Sequence, residues 1–586
     1  MKKIMNQPET LVREMCNGIV LAHPELEFNS KYKIIKKKEI NPEKVTLISG
    51  GGSGHEPAHA GFVGKGMLDV AVAGDVFASP SQIQVYQAIR SSASNKGTLL
   101  IIKNYSGDIM NFKNAAHLAS EDGIQVDFVK VDDDIAVEDS LYTVGRRGVA
   151  GTVLVHKIAG AAAEAGMALD QVKEAAQNAI DHTKSIGFAY TSCTVPAKGT
   201  PMFTLEEDEM EYGVGIHGEP GIRREKIVSA DELAGRMVKE LLESLKIEDD
   251  QEHELAVMIN GFGASPMQEL YLLNNSVIRE LSSRNKRVYK VFVGNFMTSI
   301  DMAGASVTLM KLDDQLKQLL AEPCHTPALV VQEPFEPVNY TEVVLKPEEN
   351  KAVSFKVETH EQYAAIDHNK FSLNNLVYLI DKMSEVIIEN EVPFCELDAH
   401  AGDGDFGMSV AKGFKQLKTE WKDIVTHHTG NIGEFLDACS LIIMEHCGGA
   451  SGPIWGSAFR AASKYAGDKK ELSVQEFAGM MSAVVKGIQD TGERSFGRGA
   501  VVGDKTLIDA LVPFAESWEQ SASQSEDVKT ASAKAAQAAV QGAKQTESIV
   551  ARMGRAGTVG ERSIGYPDAG AYALGVIFTE LDKALQ

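Results

Sequence analysis

A glycine-rich segment near the N-terminus limits how the first part of the chain can fold. The segment reads GGGSGHEPAHAG, runs from Gly50 to Gly61 and follows the apolar pattern Val45–Ile48. Glycines let a backbone turn tightly and let a small ligand approach main-chain amides. The pattern predicts a strand that leaves through the glycines and enters a helix whose first amides face a ligand. His55 stands there as an acid/base group, and a plain glycine-rich turn capped by His55 fits equally well.

The composition indicates a globular chain of more than one domain. A chain of 586 residues is too long for a single hydrophobic core. Asp and Glu outnumber Lys and Arg by 81 to 58, which argues against nucleic acid as a partner. The six cysteines form no C-x-x-C pair, as expected in a reducing compartment. No segment resembles a signal peptide or a membrane span, so we expect a cytoplasmic protein without a membrane partner.

Short apolar stretches alternate with helical patterns over the first third of the chain. This order is typical of a mostly parallel sheet with helices on both faces. Ligands of such sheets bind beyond the carboxyl ends of the strands. His55, Lys103 and Asp108 all fall at these ends, which favours a site over a surface salt bridge. The strand candidates are Val45–Ile48, Leu68–Ala73, Thr98–Lys103 and Val126–Val131.

A second α/β region follows the first. The segment EYGVGIHGEPG, Glu211–Gly221, alternates Val214 and Ile216 with glycines, as in a strand packed against a close neighbour. It places His217 at the strand end, where a structural histidine fits as well as a functional one. Further strand and helix patterns up to Leu312 predict a second sheet, or lobe, in the first half.

The pattern weakens between residues 331 and 365, where prolines and charges predominate. We interpret these residues as a linker between a first domain, residues 1–330, and a second domain, residues 366–586. Long helical patterns predominate beyond the linker. The sequence therefore predicts an α/β domain of two lobes followed by an all-α domain.

Three aspartates crowd into the first loop of the helical domain. The segment LDAHAGDGDFGMS contains Asp398, Asp403 and Asp405, separated by glycines. Carboxylates this close repel one another unless a cation shares them, and oxygen ligands suit Mg²⁺ or Ca²⁺. The loop lacks the ligand spacing of a calcium loop. It therefore predicts Mg²⁺ that also holds phosphate oxygens, with an acidic turn free of metal as the alternative.

Glycine-rich turns recur between the later helices. Cys447–Gly456 and Gly497–Asp509 could offer amides to phosphates, and Arg555, Arg562 and Asp568 follow near the end. Ordinary helix-connecting loops are the alternative for each. The sequence contains no G-x-x-x-x-G-K-[ST] segment and no kinase catalytic-loop signature. A bound nucleotide must therefore be held by a different device.

Taken together, these segments resemble the dihydroxyacetone (glycerone) kinase family. The resemblance covers nearly the whole chain in order, apart from the linker, and is greatest to the single-chain, ATP-dependent type. It implies two α/β lobes that bind the substrate and a nucleotide-binding barrel of antiparallel helices. The segments that carry it are GGGSGHEPAHAGFVGKGMLDVAVAGDVFASPS, KNYSGDIMNF, GRRGVAGTVLVHKIAGAAAE, GIHGEPG and LDAHAGDGDFG.

The resemblance implies roles for individual residues of the first domain. His217 matches the histidine that binds the substrate ketone covalently as a hemiaminal. His55 and Asp108 match the residues that handle protons at the reacting hydroxyl. We assign Asp108 as the base that takes the hydroxyl proton, with His55 as a hydrogen-bonding assistant. The remaining pocket residues implied are Gly52, Ser53, Gly54 and Lys103.

In the helical domain the resemblance implies that Asp398, Asp403 and Asp405 hold two Mg²⁺ ions that bridge the ATP phosphates. Arg555 would stabilise phosphate charge. Phe406 stands where a smaller or polar residue is expected after GDGD, and GYPDAGA lacks a proline expected after its aspartate. Neither departure touches a metal ligand. The implied nucleotide contacts are Phe406, Gly407, Met408, Ser409, Ala450, Ser451, Leu507, Arg555, Asp568, Ala569 and Gly570.

The reaction expected from the resemblance is phosphoryl transfer from MgATP to dihydroxyacetone. Erythrulose or glyceraldehyde could occupy the same carbonyl trap, and a family relative cleaves FAD to a cyclic flavin phosphate. Non-catalytic regulators and split kinases fed by a phosphotransferase relay also belong to the family. The intact histidine and aspartate sets argue against a regulator, and fusion of both domains favours free ATP. One domain must cap the other's substrate, within a chain or across a dimer, and we expect a homodimer.

Overall fold

A computed structural model of the chain divides into two compact units, Met1–Val344 and Leu345–Gln586. None of the helices within the described parts combines the length and the hydropathy of a membrane span. The structure describes residues 3–138, 145–219, 221–248, 252–332, 335–336, 338–342, 353–553, 557 and 560–585.

The first lobe of unit one is built on a six-stranded mixed sheet with strand order β1-β2-β4-β3-β5-β6. Strands β4, β3, β5 and β6 run parallel, as predicted, while β1 and β2 form an antiparallel edge. Strand β5 is buried at every position, because helices cover both faces of the parallel part. The elements are α1 (Leu11–Ala22), β1 (Leu26–Asn29), β2 (Ile34–Lys37), β3 (Thr46–Ser53), β4 (Val70–Val76), α2 (Gln82–Ser91), β5 (Thr98–Lys103), α3 (Ser106–Glu121), β6 (Val126–Val131), α4 (Thr152–Glu164) and α5 (Leu169–Asp181).

The glycine-rich segment continues a strand and does not turn into a helix. Strand β3 runs on to Ser53, where the glycines allow a very close approach of neighbouring backbone. A Cβ on Gly50 would lie 2.3 Å from the carbonyl oxygen of Val72 in β4. Residues 54–59 form a loop, followed only by a 3₁₀ turn, Ala60–Phe62. The prediction of a helix that starts at His55 is therefore wrong.

The second lobe is built on a mostly antiparallel sheet with strand order β11-β10-β12-β7-β8-β9, in which only β10 and β11 are parallel. Next to it, the backbone N–H of Val338 donates to the carbonyl of Val288 on β11 over 3.4 Å. The first residues after position 331 thus belong to unit one. The elements are β7 (Thr183–Ala189), β8 (Glu209–Tyr212), β9 (Arg223–Lys226), α6 (Ala230–Ser244), β10 (Glu254–Gly261), α7 (Met267–Ser283), β11 (Arg287–Gly294), β12 (Gly304–Lys311), α8 (Asp314–Ala321), β13 (Cys324–His325) and β14 (Val330–Val331).

The segment that carries His217 is a loop and not a strand. Strand β8 ends at Tyr212, and the backbone turns at Gly213 and Gly218, whose φ angles of 76° and 72° lie in the left-handed region. Val214 and Ile216 are buried in this loop. The prediction that they alternate along a strand is wrong, because buried apolar side chains in a glycine-rich loop produce the same spacing.

Eight helices in the described part of unit two form a closed ring. Going round the ring, α9, α11, α13, α14, α15, α16, α17 and α18 each pack against the next, and α18 packs against α9. An apolar cavity of about 160 Å³ lies inside, lined by aromatic and aliphatic side chains. The all-α prediction is confirmed. The elements are β15 (Lys370–Ser372), α9 (Leu373–Glu389), α10 (Glu391–Asp398), α11 (Phe406–Thr419), α12 (Trp421–His427), α13 (Ile432–His446), α14 (Ser451–Ala466), β16 (Glu471–Ser473), α15 (Val474–Phe496), α16 (Ile508–Ser523), α17 (Val528–Gln545) and α18 (Ala569–Ala584).

Helix α4 generates a prediction about packing in unit one. It is buried along most of its length, and a Cβ on Gly160 would lie 2.2 Å from the carbonyl oxygen of Gly66. We expect Gly160→Ala to lower the free energy of unfolding by about 1–3 kcal/mol. The matched control is Gly18→Ala in α1, where nothing lies within 4 Å of the added methyl; it should be neutral or stabilising. Denaturant unfolding of both variants checks this, and equal stabilities would contradict it.

Candidate functional site

Two histidines from different lobes meet in unit one. His55 lies in the loop after β3, and His217 lies in the loop after β8. Their Nε2 atoms are 3.1 Å apart, and His55 Nδ1 lies 2.8 Å from the carbonyl oxygen of Thr298. A carbonyl only accepts, so His55 carries its proton on Nδ1 when neutral. His55 Nε2 then accepts the hydrogen bond that His217 Nε2 donates.

Aromatic rings surround the two imidazoles. Phe77 stacks on His55 with ring centroids 5.2 Å apart, and Tyr105 meets His217 edge-on at 4.5 Å. His55 is fully buried, whereas His217 keeps a partial opening to solvent. The sequence analysis missed both rings. The signal for Tyr105 was its place between Lys103 and Asp108 in KNYSGD.

Lys103 and Asp108 face the same glycine. Lys103 ends β5 and Asp108 lies in the first turn of α3, as the strand-end argument predicted. A Cβ on Gly51 would lie 3.3 Å from Lys103 Nζ and 3.6 Å from Asp108 Oδ2. The Lys103 ammonium is fully buried and has no hydrogen-bond partner among the described residues. An ammonium in this state is suited to a polar ligand.

The other predicted pocket residues line the same loop, with their polar groups already engaged. Ser53 Oγ donates to the carbonyl of Gly74 over 2.8 Å, and the Gly54 N–H donates to Glu56 Oε2 over 2.8 Å. A Cβ on Gly52 would lie 2.7 Å from the backbone nitrogen of Ala78. Gly52, Ser53 and Gly54 therefore shape the loop, while Gly51 is the glycine that faces Lys103 and Asp108.

Burial shifts every titratable group of this site toward its neutral form. Burial, with the charge of Lys103 added, lowers the pKa of both His55 and His217 well below the usual value. Burial also lowers the pKa of Lys103 and raises that of Asp108, against the attraction between the two groups. The histidines are neutral at pH 7, and the Asp108 carboxylate is a stronger base than usual.

The three aspartates of unit two converge as predicted. Asp398, Asp403 and Asp405 each offer an oxygen, and these oxygens lie within 4.8 Å of one another. Asp398 Oδ2 accepts from the backbone N–H of Gly404 over 2.9 Å, which fixes the loop. A Cβ on Gly402 would lie 2.2 Å from Asp398 Oδ1. The donor set is all oxygen and fits a hard divalent cation such as Mg²⁺.

The predicted nucleotide-binding residues occupy the starts of four helices at the same end of the ring. The Gly448 N–H, just before α14, donates to Ser409 O over 3.0 Å, and Gly570 lies against Leu507. Arg555 lies outside the described residues. Helix N-termini carry free amides and a positive dipole end, which bind phosphate. The residues are Phe406, Gly407, Met408 and Ser409 at α11, Ala450 and Ser451 at α14, Leu507 before α16, and Asp568, Ala569 and Gly570 at α18.

Charged groups near these helix starts interact with the aspartate loop. Burial, with help from Asp509 and Asp398, raises the pKa of Asp568 to about 7. Lys505 is buried and donates to the carbonyl of Tyr566 over 2.8 Å, and the Tyr566 ring stacks on His400 at 3.8 Å. Sequence reasoning missed Lys505 and this stack. Lys505 lies in the glycine-rich turn Gly497–Asp509 without a motif of its own, and no local pattern pairs residues as far apart as His400 and Tyr566.

Two domain models match the chain in order: a Dak1 domain over residues 17–328 and a DAK2 domain over residues 400–583. The chain belongs to the dihydroxyacetone kinase family. This membership confirms the resemblance that the sequence motifs indicated. Both domains are fused in one chain, and the family is one of phosphotransferases.

Family members match over nearly their full length. The L-erythrulose 1-kinase of Mycolicibacterium smegmatis is 34% identical over 587 residues, covering 100% of both chains. The triokinase/FMN cyclase of Rattus norvegicus is 33% identical over 596 residues, covering 100% of this chain and 99% of that protein. The crystal structure of the dihydroxyacetone kinase of C. freundii matches with a TM-score of 0.62 at 30% identity over 99% of each chain. Its complex with AMP-PNP and Mg²⁺ matches equally well.

His59 and His156 are two further buried histidines, and their burial predicts how the stability of the fold depends on pH. His59 Nδ1 lies 2.9 Å from His156 Nε2, and burial lowers the pKa of both, that of His156 to about 3. Below pH 6.5 these two histidines bind protons in the unfolded chain but stay neutral in the folded chain. Stability is therefore complete above about pH 6.5 and falls as the pH drops, by up to about 1.4 kcal/mol per pH unit for each histidine.

The measurement is unfolding between pH 7.5 and pH 5. We expect His156→Gln to reduce the pH slope by about one proton. His117→Gln, at an exposed position on α3, should leave the slope unchanged. A wild-type slope in the His156 variant would contradict this account.

Proposed function

We propose that this chain transfers the γ-phosphoryl group of ATP to a primary hydroxyl of dihydroxyacetone, with the ketone held on His217. The observation that carries the proposal is the contact between two neutral imidazoles beside a basic carboxylate and Lys103, whose ammonium has no hydrogen-bond partner in the described parts of the chain. Family membership supplies the phosphotransfer class. A nucleophilic nitrogen next to a proton acceptor is the arrangement that carbonyl capture requires.

Capture uses the hydrogen bond between the histidines. His55 Nε2 removes the proton of His217 Nε2 as that nitrogen bonds to the carbonyl carbon, so the electron pair of the broken N–H bond is available for the new N–C bond. The C=O π electrons move to the oxygen, and the proton on His55 Nε2 passes to this alkoxide, which leaves a neutral hemiaminal and a neutral His55. Thr298 keeps the other nitrogen of His55 protonated through its carbonyl. The substrate is fixed by a covalent bond that polyols without a carbonyl cannot form.

The captured substrate presents its hydroxyl to Asp108. Burial raises the pKa of this carboxyl, which suits a base that removes a proton as the hydroxyl attacks phosphorus. The Lys103 ammonium lies beside Gly51, as the Asp108 carboxylate does, and it can hydrogen-bond a substrate oxygen. Catalysis rests mainly on positioning and charge, since phosphoryl transfer requires little covalent help.

Unit two would hold the nucleotide. Asp398, Asp403 and Asp405 would bind Mg²⁺, for which we propose two ions, and the helix starts would donate amides to the phosphates. When bound, Mg²⁺ would neutralise charge that develops on the phosphates. Substrate and nucleotide groups lie in different units, so they must meet within a chain or across a homodimer, and we propose a cytoplasmic homodimer.

A four-carbon ketose is the second candidate substrate. The M. smegmatis relative that matches over the whole chain is an L-erythrulose 1-kinase, and the capture chemistry requires only a carbonyl next to a hydroxymethyl group. The rat relative also carries FMN cyclase in its name, which makes FAD cleavage by the nucleotide unit a third activity to assay.

The substrate is decided by ADP release in a coupled assay with dihydroxyacetone, erythrulose and glyceraldehyde in turn. We expect the highest kcat/KM with dihydroxyacetone. A higher value with erythrulose would keep the capture mechanism and replace the proposed substrate. No ADP release with any of the three would contradict the ATP-dependent kinase, and FAD or a phosphotransferase relay would be assayed next.

The division of labour predicts separable defects. His217→Ala should abolish ketone capture, whereas Asp403→Ala should lower Mg-dependent turnover by on the order of 100-fold with capture intact. Capture is read from the carbonyl carbon signal of ¹³C-labelled dihydroxyacetone. His117→Ala and Asp490→Ala, both on exposed helix faces, are the matched controls. Covalent capture by His217→Ala would refute the hemiaminal, and loss of capture in Asp403→Ala would show that the functions are not separable.

A further inference from the structure

The backbone of His217 is held by a chain of charged groups. The His217 N–H donates to Glu219 Oε2 over 2.8 Å, and Glu219 Oε1 accepts from Arg147 Nη1 at 3.2 Å. Arg147 also donates to Asp134 Oδ2 over 2.6 Å and, through Nη2, to the carbonyl of Gly213 over 3.0 Å. One guanidinium therefore ties together both ends of the loop that carries His217.

These linked charged groups join the two lobes and are largely buried. Asp134 follows β6 of the first sheet, whereas Glu219 follows β8 of the second. The Arg147 side chain is 1% exposed and that of Glu219 is 11% exposed. A buried guanidinium is tolerated where its planar fork meets matched acceptors, and here the acceptors come from both lobes. The geometry of the loop thus depends on this arginine.

The loop packs directly on the ion pair. A Cβ on Gly215 would lie 1.9 Å from Glu219 Oε1 and 2.6 Å from Arg147 Nη1. A side chain at Gly215, the second glycine of GVGIHG, would therefore displace the Glu219–Arg147 ion pair. On the imidazole side, the Tyr105 ring meets the His217 ring edge-on. The backbone and the ring of His217 are therefore fixed by separate partners.

We propose that Glu219 and Arg147 are positioning residues that set His217 Nε2 for capture of the substrate carbonyl. They act through the backbone hydrogen bond of His217 and do not touch the substrate. The inference rests on the proposed function, because it takes His217 as the capturing nucleophile. Selectivity for a carbonyl substrate then depends on the Glu219–Arg147 ion pair, which does not touch the substrate, as well as on the two imidazoles.

The test compares Glu219→Gln and Arg147→Lys with the wild-type full-length chain. Glutamine keeps an acceptor for the His217 N–H and loses the charge that pairs with Arg147. Lysine keeps the charge and loses the fork. We expect both to raise KM for dihydroxyacetone by about tenfold with kcat nearly unchanged. The captured fraction of ¹³C-labelled dihydroxyacetone should fall in parallel.

Glu225→Gln and Arg236→Lys are the matched controls, because these residues form an ion pair of 2.7 Å between β9 and α6 of the second lobe. They should capture ketone like the wild type. If Glu219 and Arg147 had only a structural role, their variants would unfold at a lower temperature, but the folded protein would still capture ketone like the wild type.

Wild-type capture in Glu219→Gln and Arg147→Lys would overturn the inference. Absence of capture in the wild type itself would overturn the proposed function instead. Should Arg147→Lys fail to fold, Glu219→Ala decides: it removes the acceptor too, so it should capture less ketone than Glu219→Gln, and equal capture would count against positioning through the backbone.

Discussion

His55 and His217 lie in loops that follow strands of different sheets. Their contact therefore requires the two sheets to be held in a fixed position relative to each other. Neither lobe contains both imidazoles, and the first lobe's loop is tied to the second by backbone hydrogen bonds from Ile300 to Gly54, at 2.8 Å, and from Thr298 to His55, at 3.2 Å. A displacement of about 1 Å between reacting groups can cost a hundredfold in rate. The groups between the lobes are therefore part of the chemistry.

Burial explains the electrostatics of this site with a single cause. Taking His55, His217 and Lys103 out of water disfavours their charged forms, and taking Asp108 out of water disfavours its anion. The proposed capture requires neutral imidazoles, and the proposed proton removal requires a basic carboxylate. The burial that keeps His55 and His217 neutral also makes the fold sensitive to acid, because below about pH 6.5 these imidazoles bind protons in the unfolded chain but not in the folded chain. The raised pKa of Asp108 acts in the opposite direction, because the folded chain binds its proton more readily than the unfolded chain does.

The sequence predicted the fold class and the groups that meet, but not how the backbone brings them together. Lys103 and Asp108 were found because parallel strands end at one edge, and the aspartates because carboxylate crowding is local. The helix after Gly54 and the strand through Val214 were wrong. Glycines that permit close strand packing and glycines that permit turns produce the same local pattern. Arg147 and Glu219 escaped detection because contacts between lobes leave no periodic signal.

The nucleotide end of unit two follows from the topology of its ring. Neighbouring helices in an antiparallel ring point in opposite directions, so alternate members begin at the same end. Helices α11, α14, α16 and α18 are such alternate members, and the aspartate loop leads directly into α11. The positive dipole ends of four helices therefore face the charges that Mg²⁺ and phosphate would bring. Asp568 at the start of α18 lies in this region, where burial, together with the charges of Asp509 and Asp398, raises its pKa to about 7. In the proposed nucleotide site the ring would thus take the place of a glycine-rich phosphate loop, and the site would be complete only when α18 packs against α9.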